Sequence, residues 1–99
     1  MNQFFLSGYV VNNPEVRISP TLNKSVAHFS LSAKRDYSSV TDYFTFTAFG
    51  NKAVFVKEKI HKGMKVFVRS KVQNNNYEKD GKKYYDFDFI IDEIEITNK

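Results

Sequence analysis

Thr41-Asp42-Tyr43-Phe44-Thr45-Phe46-Thr47-Ala48-Phe49-Gly50 decides how this chain is read, because its side chains alternate without a break. Successive residues of a strand point to opposite faces, so Phe44, Phe46 and Ala48 share one face and Tyr43, Thr45, Thr47 and Phe49 the other. The first set is an ordinary core face. The second places an aromatic ring at each end of two small hydroxyl residues. Such a face is either covered by another part of the chain or left open as a flat floor for a planar ligand.

Upstream, Phe4, Leu6, Gly8 and Val10 alternate with Phe5, Ser7, Tyr9 and Val11 and predict a first strand, with Gly8 as a point of bending or bulging. Asn12-Asn13-Pro14 ends it, since asparagine favours turns and proline cannot donate to a central ladder. The chain then returns through Glu15, Val16, Arg17 and Ile18, and Ser19 to Asn23 reads as a loop. A second strand is predicted from Ser25 to about Tyr37, with Ala27, Phe29, Leu31 and Ala33 on its apolar face and His28, Ser30, Ser32 and Lys34 on its polar face.

Downstream of Gly50 the period changes. Ala53, Val56 and Ile60 form one helical stripe, with Asn51 as the expected start cap and Gly63 as the expected end cap. Val66, Val68 and Val72 then mark the inner face of a fourth strand, whose other face carries Lys65, Phe67, Arg69 and Lys71. Gln73 to Tyr85 is polar and contains Asp80-Gly81, a strong hairpin-turn signal, so it reads as a projecting arm with Tyr77 on one side and Tyr84 and Tyr85 on the other. The last strand runs through Tyr85, Phe87, Phe89 and Ile91, then changes phase to Ile94 and Ile96, which predicts a bulge near Asp92 and Glu93.

Three strands, a short helix and two more strands match an all-β, five-stranded OB-fold barrel, with the helix between strands three and four and a projecting hairpin between strands four and five. Periodicity alone leaves other small barrels and sandwiches open. With 99 residues the chain reads as a single domain over residues 1–99. It contains no cysteine, which removes disulfides and thiolate metal sites. The opening MNQFFLSG has neither a basic leader nor a long apolar run, so the expectation is a soluble cytoplasmic protein with no membrane association.

Ten Phe and six Tyr, with no Trp, are more rings than so small a core needs, so some belong on the surface. The net charge of +4 is unevenly spread. Lys52 to Lys83 carries ten basic residues against three acidic ones, whereas Tyr84 to Lys99 carries one against five. The two histidines, His28 and His61, lie on different predicted elements and offer little for a metal site or a histidine-based triad. Asp86, Asp88, Asp92, Glu93 and Glu95 read as a solvated face that guards an exposed strand rather than as a metal site. No enzyme activity, catalytic residue, metal or cofactor is expected.

Several motifs, in order, resemble the bacterial single-stranded-DNA-binding protein family over nearly the whole length. They are Gly8 with Pro14-Glu15-Val16-Arg17, Val26-Ala27-His28-Phe29-Ser30-Leu31, Thr41-Asp42-Tyr43-Phe44 with Phe49-Gly50, Lys62-Gly63, and the Tyr77 arm with its Asp-Gly turn. The resemblance implies an OB barrel in which bases stack on aromatic residues, and these correspond to Tyr37, Tyr43, Phe49 and Tyr77. It also implies a homo-oligomer, a tetramer first and a dimer second; the first strand, with Phe5 and Tyr9 on its outer face, is the candidate pairing edge.

Departures from the family pattern are equally visible. Tyr stands where the family uses Trp, Gln73 to Asn76 replace basic residues before the arm aromatic, and Leu22-Asn23 replace a Gly-containing turn. The chain reads as a short form without the acidic tail, so recruitment of replication proteins through such a tail is not expected. Sequence-tolerant binding of single-stranded DNA needs aromatic platforms and a cationic track for phosphates. The four rings supply the first, and Lys34, Arg35, Lys52, Lys62, Arg69, Lys71, Lys79, Lys82 and Lys83 are the candidates for the second. The expected role is protection of single strands in replication, recombination or repair, and the alternative is a primosomal or RNA-binding protein of the same architecture.

Overall fold

A computed structural model describes residues 1–21 and 23–97. The Leu22 part of the altered turn and the chain end at Lys99 lie outside the described residues. The elements are β1 (Phe4–Val10), β2 (Glu15–Ser19), β3 (Lys24–Lys34), β4 (Thr41–Phe49), α1 (Asn51–Lys59), β5 (Lys65–Asn74), β6 (Tyr77–Lys79), β7 (Lys82–Tyr84) and β8 (Phe87–Ile96). Strands pair in the order β1-β5-β8-β4-β3, and β3 returns to β1 through Tyr9↔Ser32 and Val10↔Leu31. The ring is therefore a closed five-stranded barrel, the OB-fold that the element order predicts. β2 lies on β3 outside the ring, and β6 with β7 forms a separate two-stranded arm. Among the described residues no helix is long and apolar enough to cross a membrane.

β4 is central in space as well as in pattern. It pairs with β3 along its whole length, from Lys34↔Thr41 to Val26↔Phe49, and with β8 in parallel at Phe46↔Phe89 and Thr47↔Ile90. Its inner face fills the barrel: Phe46 and Ala48 are fully buried, and Phe46 packs on Phe29 and Phe89 with ring centroids 6.0 and 5.7 Å apart. Phe4 joins the cluster, 5.0 Å from Phe89 and 5.5 Å from Phe44. Such tilted ring pairs contribute beyond the apolar area they bury.

Gly8 corrects one expectation. The β1–β5 register runs unbroken from Phe4↔Ser70 to Tyr9↔Lys65, so there is no bulge at Gly8. A Cβ there would instead stand 2.5 Å from the Ser32 carbonyl oxygen, because this is where β3 crosses β1 to close the barrel. The residue is small for the sake of a close approach.

The helix caps are also corrected. Asn51 is the first helical residue and Gly50 occupies the cap position at φ 63°, with its N–H bonded to the Ser25 carbonyl at 2.8 Å. β4 must turn onto the barrel end within one residue, which requires a left-handed conformation that glycine adopts freely. At the other end the buried Ile60 draws the chain into extended conformation, so α1 stops before Gly63.

β3 ends at Lys34 rather than near Tyr37, and β8 begins at Phe87 rather than at Tyr85. The predicted bulge is present: Arg69 pairs with Glu93 and Ser70 with Ile91, leaving Asp92 as the extra residue. That insertion lets Ile91 and Ile94 both meet the core. β8 pairs with β5 out to Ile96 but with β4 only at Phe89 and Ile90, and Asp92 and Glu93 face Arg69 at 3.9 and 3.3 Å. The Asp80-Gly81 turn forms as predicted, with both residues at positive φ. Asn23 takes φ 50° in the turn where the family pattern has Gly, a conformation that asparagine tolerates.

Candidate nucleic-acid interface

The outer face of β4 is open. Tyr43 is 68% exposed and Thr45 is exposed, while Thr47 and Phe49 are half-buried, so the floor is most open at its Tyr43 end. Cross-strand hydrogen bonds hold it flat: Thr45 Oγ1 lies 2.9 Å from Ser30 Oγ, and Thr47 Oγ1 lies 3.2 Å from His28 Nδ1. Two hollows flank it. One of about 470 Å³ lies beside Phe49 and is lined by Arg17, Val26, His28, Asn75, Asp88 and Ile90 among others. The second, of about 370 Å³, lies beside Tyr43 and is lined by Phe44, Asp86, Phe87 and Asp88 among others. Registers across the sheet place Lys71, Ile90, Thr47 and His28 in one row, which brings a cation of β5 to the border of the floor.

Tyr37 stands apart from this face, in the loop between β3 and β4, fully exposed and at φ 57°. The loop is braced. Arg35 N–H donates to the Val40 carbonyl at 3.0 Å, Val40 N–H donates to Ser38 Oγ at 3.0 Å, and the Arg35 guanidinium holds both oxygens of Asp42, at 2.9 and 3.0 Å. A two-pronged bond of this kind fixes orientation as well as charge. The hydrogen bond from Arg35 holds the Asp42 carboxyl below the usual carboxylate range, and the reciprocal bond raises Arg35.

Tyr77 lies on the arm, where its cross-strand partner is Tyr84; the two rings are stacked 5.0 Å apart at 13°. One face of Tyr77 is thus already occupied. Lys79 pairs with Lys82 at the tip, and Lys83 with Glu78. The root of the arm touches the floor, since Asn75 lines the Phe49 hollow and donates from Nδ2 to Asp88 at 3.3 Å.

The structure thus brings Tyr43 and Phe49 onto one floor, with Lys34 beside Tyr43 along the same outer face of the β3–β4 ladder and Lys71 on the other side. Tyr37 and the arm, with Tyr77, Lys79, Lys82 and Lys83, flank it. Other candidates lie elsewhere. Lys52 borders a separate hollow with Phe55 and Ile94, and Lys62 follows α1, its N–H bonded to Asn13 Oδ1 at 2.9 Å. Arg69 sits opposite Phe5 and is engaged by Asp92 and Glu93.

Phe87 was missed as a surface ring by sequence reasoning: it shares the parity of Phe89 and Ile91, yet it is 58% exposed beside Tyr43 because it pairs with Asn74 beyond the barrel. Arg17, His28 and Asp88 carried no sequence signal for this site beyond their residue type, whereas Tyr84 was already placed opposite Tyr77 by the Asp80-Gly81 turn. Among the described residues no group of three His, Asp or Glu side chains could hold a metal ion. A second aromatic surface lies on the outer face of β1 and β5, where Phe5 and Tyr9 are each 53% exposed, Phe5 packs 6.1 Å from Phe67, and Lys65 Nζ sits 5.9 Å from the Tyr9 ring centre.

A family model described as the single-strand binding protein family matches residues 1–97. A protein of Fusobacterium nucleatum subsp. nucleatum named single-stranded DNA-binding protein is 29% identical over 103 residues, a match covering 97% of this chain and 66% of the relative. One of the same name from Clostridium tetani is 26% identical over 101 residues, covering 97% and 70%. Single-stranded DNA-binding protein 2 of Staphylococcus aureus is 27% identical over 102 residues, covering 97% and 72%. The chain spans about two thirds of the length of these curated relatives.

Proposed function

The chain belongs to the single-strand binding protein family, and from that premise we propose that it binds single-stranded DNA across the outer face of β4 and the arm. The observation that carries the placement is the pair Tyr43 and Phe49, set at the two ends of an open hydroxyl floor with a hollow beside each ring. A floor of that shape suits unpaired bases, and each base stacked on an aromatic contributes roughly 1 to 3 kcal/mol whatever its identity. Tyr37 and Tyr77 serve as outlying platforms. Lys34, Lys71, Lys79, Lys82 and Lys83 track phosphates, while Arg35 acts mainly by holding the Tyr37 loop to Asp42. Lys52, Lys62 and Arg69 contribute at most to the general field.

The protein works as a binding module that shields single strands in replication, recombination or repair, in the cytoplasm and without turnover. The β1–β5 aromatic face supports assembly into a homo-oligomer, a tetramer first and a dimer second. One barrel offers few platforms, and several barrels on one strand raise the effective concentration of each site. The test is a titration of labelled oligo-dT with the mass of the complex measured alongside. Tight, salt-sensitive binding by a species larger than 11.5 kDa is expected. Equal affinity for duplex of the same length would overturn the reading, and metal-dependent cleavage of the oligomer would overturn the absence of turnover.

A further inference from the structure

Asp88 lines both hollows of the β4 floor. It lies two residues before Ile90, whose β4 partner is Thr47 in a parallel pair, so Asp88 stands level with Thr45, two residues from Tyr43 and four from Phe49 along β4. His28 occupies the opposite flank and also lines both hollows. Asn75 Nδ2 donates to Asp88 Oδ1 at 3.3 Å. No cation pairs with Asp88 among the described residues, and its second oxygen is left without a protein donor.

A negative charge on a surface that follows phosphates lowers affinity unless it meets something that donates. A carboxylate only accepts, so it selects among bases by their donors. Cytosine offers N4–H₂ and adenine N6–H₂, whereas thymine offers a carbonyl oxygen at the corresponding edge position, and its one edge donor, N3–H, lies between two carbonyl oxygens that repel a carboxylate. Bases of single strands have these edges free, and stacking on either ring leaves an edge to face β3 or β8. We propose that Asp88 reads the exocyclic amino group of a base seated on the β4 floor beside Tyr43, so that this protein favours cytosine and other amino-bearing bases over thymine. The proposal rests on the single-stranded DNA reading given above and makes that binding less sequence-tolerant than stacking alone would.

Cytosine and thymine separate the idea cleanly, because both are pyrimidines with similar stacking area. Oligo-dC and oligo-dT of equal length are titrated at mildly alkaline pH, where oligo-dC stays single-stranded, with wild type, Asp88→Asn and Asp88→Glu. Wild type should prefer oligo-dC by about tenfold per occupied site, the worth of one hydrogen bond to a charged group. Asp88→Asn, whose amide both donates and accepts, should bring the ratio close to one, while Asp88→Glu keeps the preference. Removing a negative charge raises affinity for both oligomers, so the ratio is the readout. Oligo-dT bound as tightly as oligo-dC by wild type overturns the proposal, as does a ratio that Asp88→Asn leaves unchanged. The wild-type ratio decides even where a variant fails to fold. Absence of binding to either oligomer overturns the DNA reading itself, which is a different result from equal binding.

Discussion

Two outer surfaces of the barrel carry exposed rings among basic residues, yet their chemistry differs. On β4, Tyr43 and Phe49 are separated by two threonines and bordered by hollows, and Lys34 and Lys71 form no ion pair among the described residues. On β1 and β5, Phe5 packs against Phe67, Lys65 lies over Tyr9, and Arg69 is engaged by Asp92 and Glu93. The first surface leaves the Tyr43 ring, part of Phe49 and two lysine charges unspent, as a polyanion with planar bases requires. The second has already satisfied much of its charge and offers exposed rings, Phe5 packed on Phe67 with Tyr9 nearby on the same strand, as contact with another protein surface requires. Exposure of aromatics by itself does not separate the two; spacing and charge satisfaction do.

The largest effect should come from removing both rings of the first surface. Tyr43→Ala with Phe49→Ala is expected to cost about two stacks, roughly 2 to 6 kcal/mol of oligo-dT affinity, with oligomer mass unchanged. Phe5→Ala with Phe67→Ala should do the opposite, reducing mass by light scattering while each barrel keeps its stacking floor. Loss of DNA affinity from both pairs at concentrations where the assembly persists would erase the distinction.

On the arm, Tyr77→Ala should cost about one stack, on the order of 1 to 3 kcal/mol, and leave the salt slope nearly unchanged. Because Tyr84 covers one face of Tyr77, Tyr84→Ala should weaken binding by less, through loss of ring placement. A drop in melting temperature with unchanged affinity in Tyr77→Ala would make this pair a packing device. Lys82→Ala with Lys83→Ala tests charge instead, flattening the slope of log affinity against log salt by about 0.7 for each phosphate no longer neutralised.

The smallest effect concerns the brace behind Tyr37. Asp42 has a folded-state pKa below the ordinary carboxylate value, through its hydrogen bond with Arg35. The pair therefore contributes stability that is present above the unfolded pKa and is lost as pH falls through the folded one. Wild type should melt slightly above Asp42→Asn at neutral pH, and the gap should close in strong acid. A gap that persists there would mean the pair does not supply it.

The sequence by itself determined whatever depends on neighbouring residues. Strict alternation in Thr41 to Gly50 set which side chains of β4 go inward, Asp80-Gly81 set the arm's turn, and the phase change after Ile91 placed the bulge at Asp92. These features were legible because side-chain period and backbone preference act over a few residues. Tertiary structure alone decided what depends on register between distant segments. Gly8 faces Ser32 because β3 closes on β1, and Arg35 is held by Asp42 across a loop. Phe87 is exposed despite its core-like parity because it pairs beyond the barrel end, and Asp88 reaches the floor between two rings only through the parallel pairing of β8 with β4. A single slip in strand register would send these side chains to the opposite face, so no local pattern could have specified them.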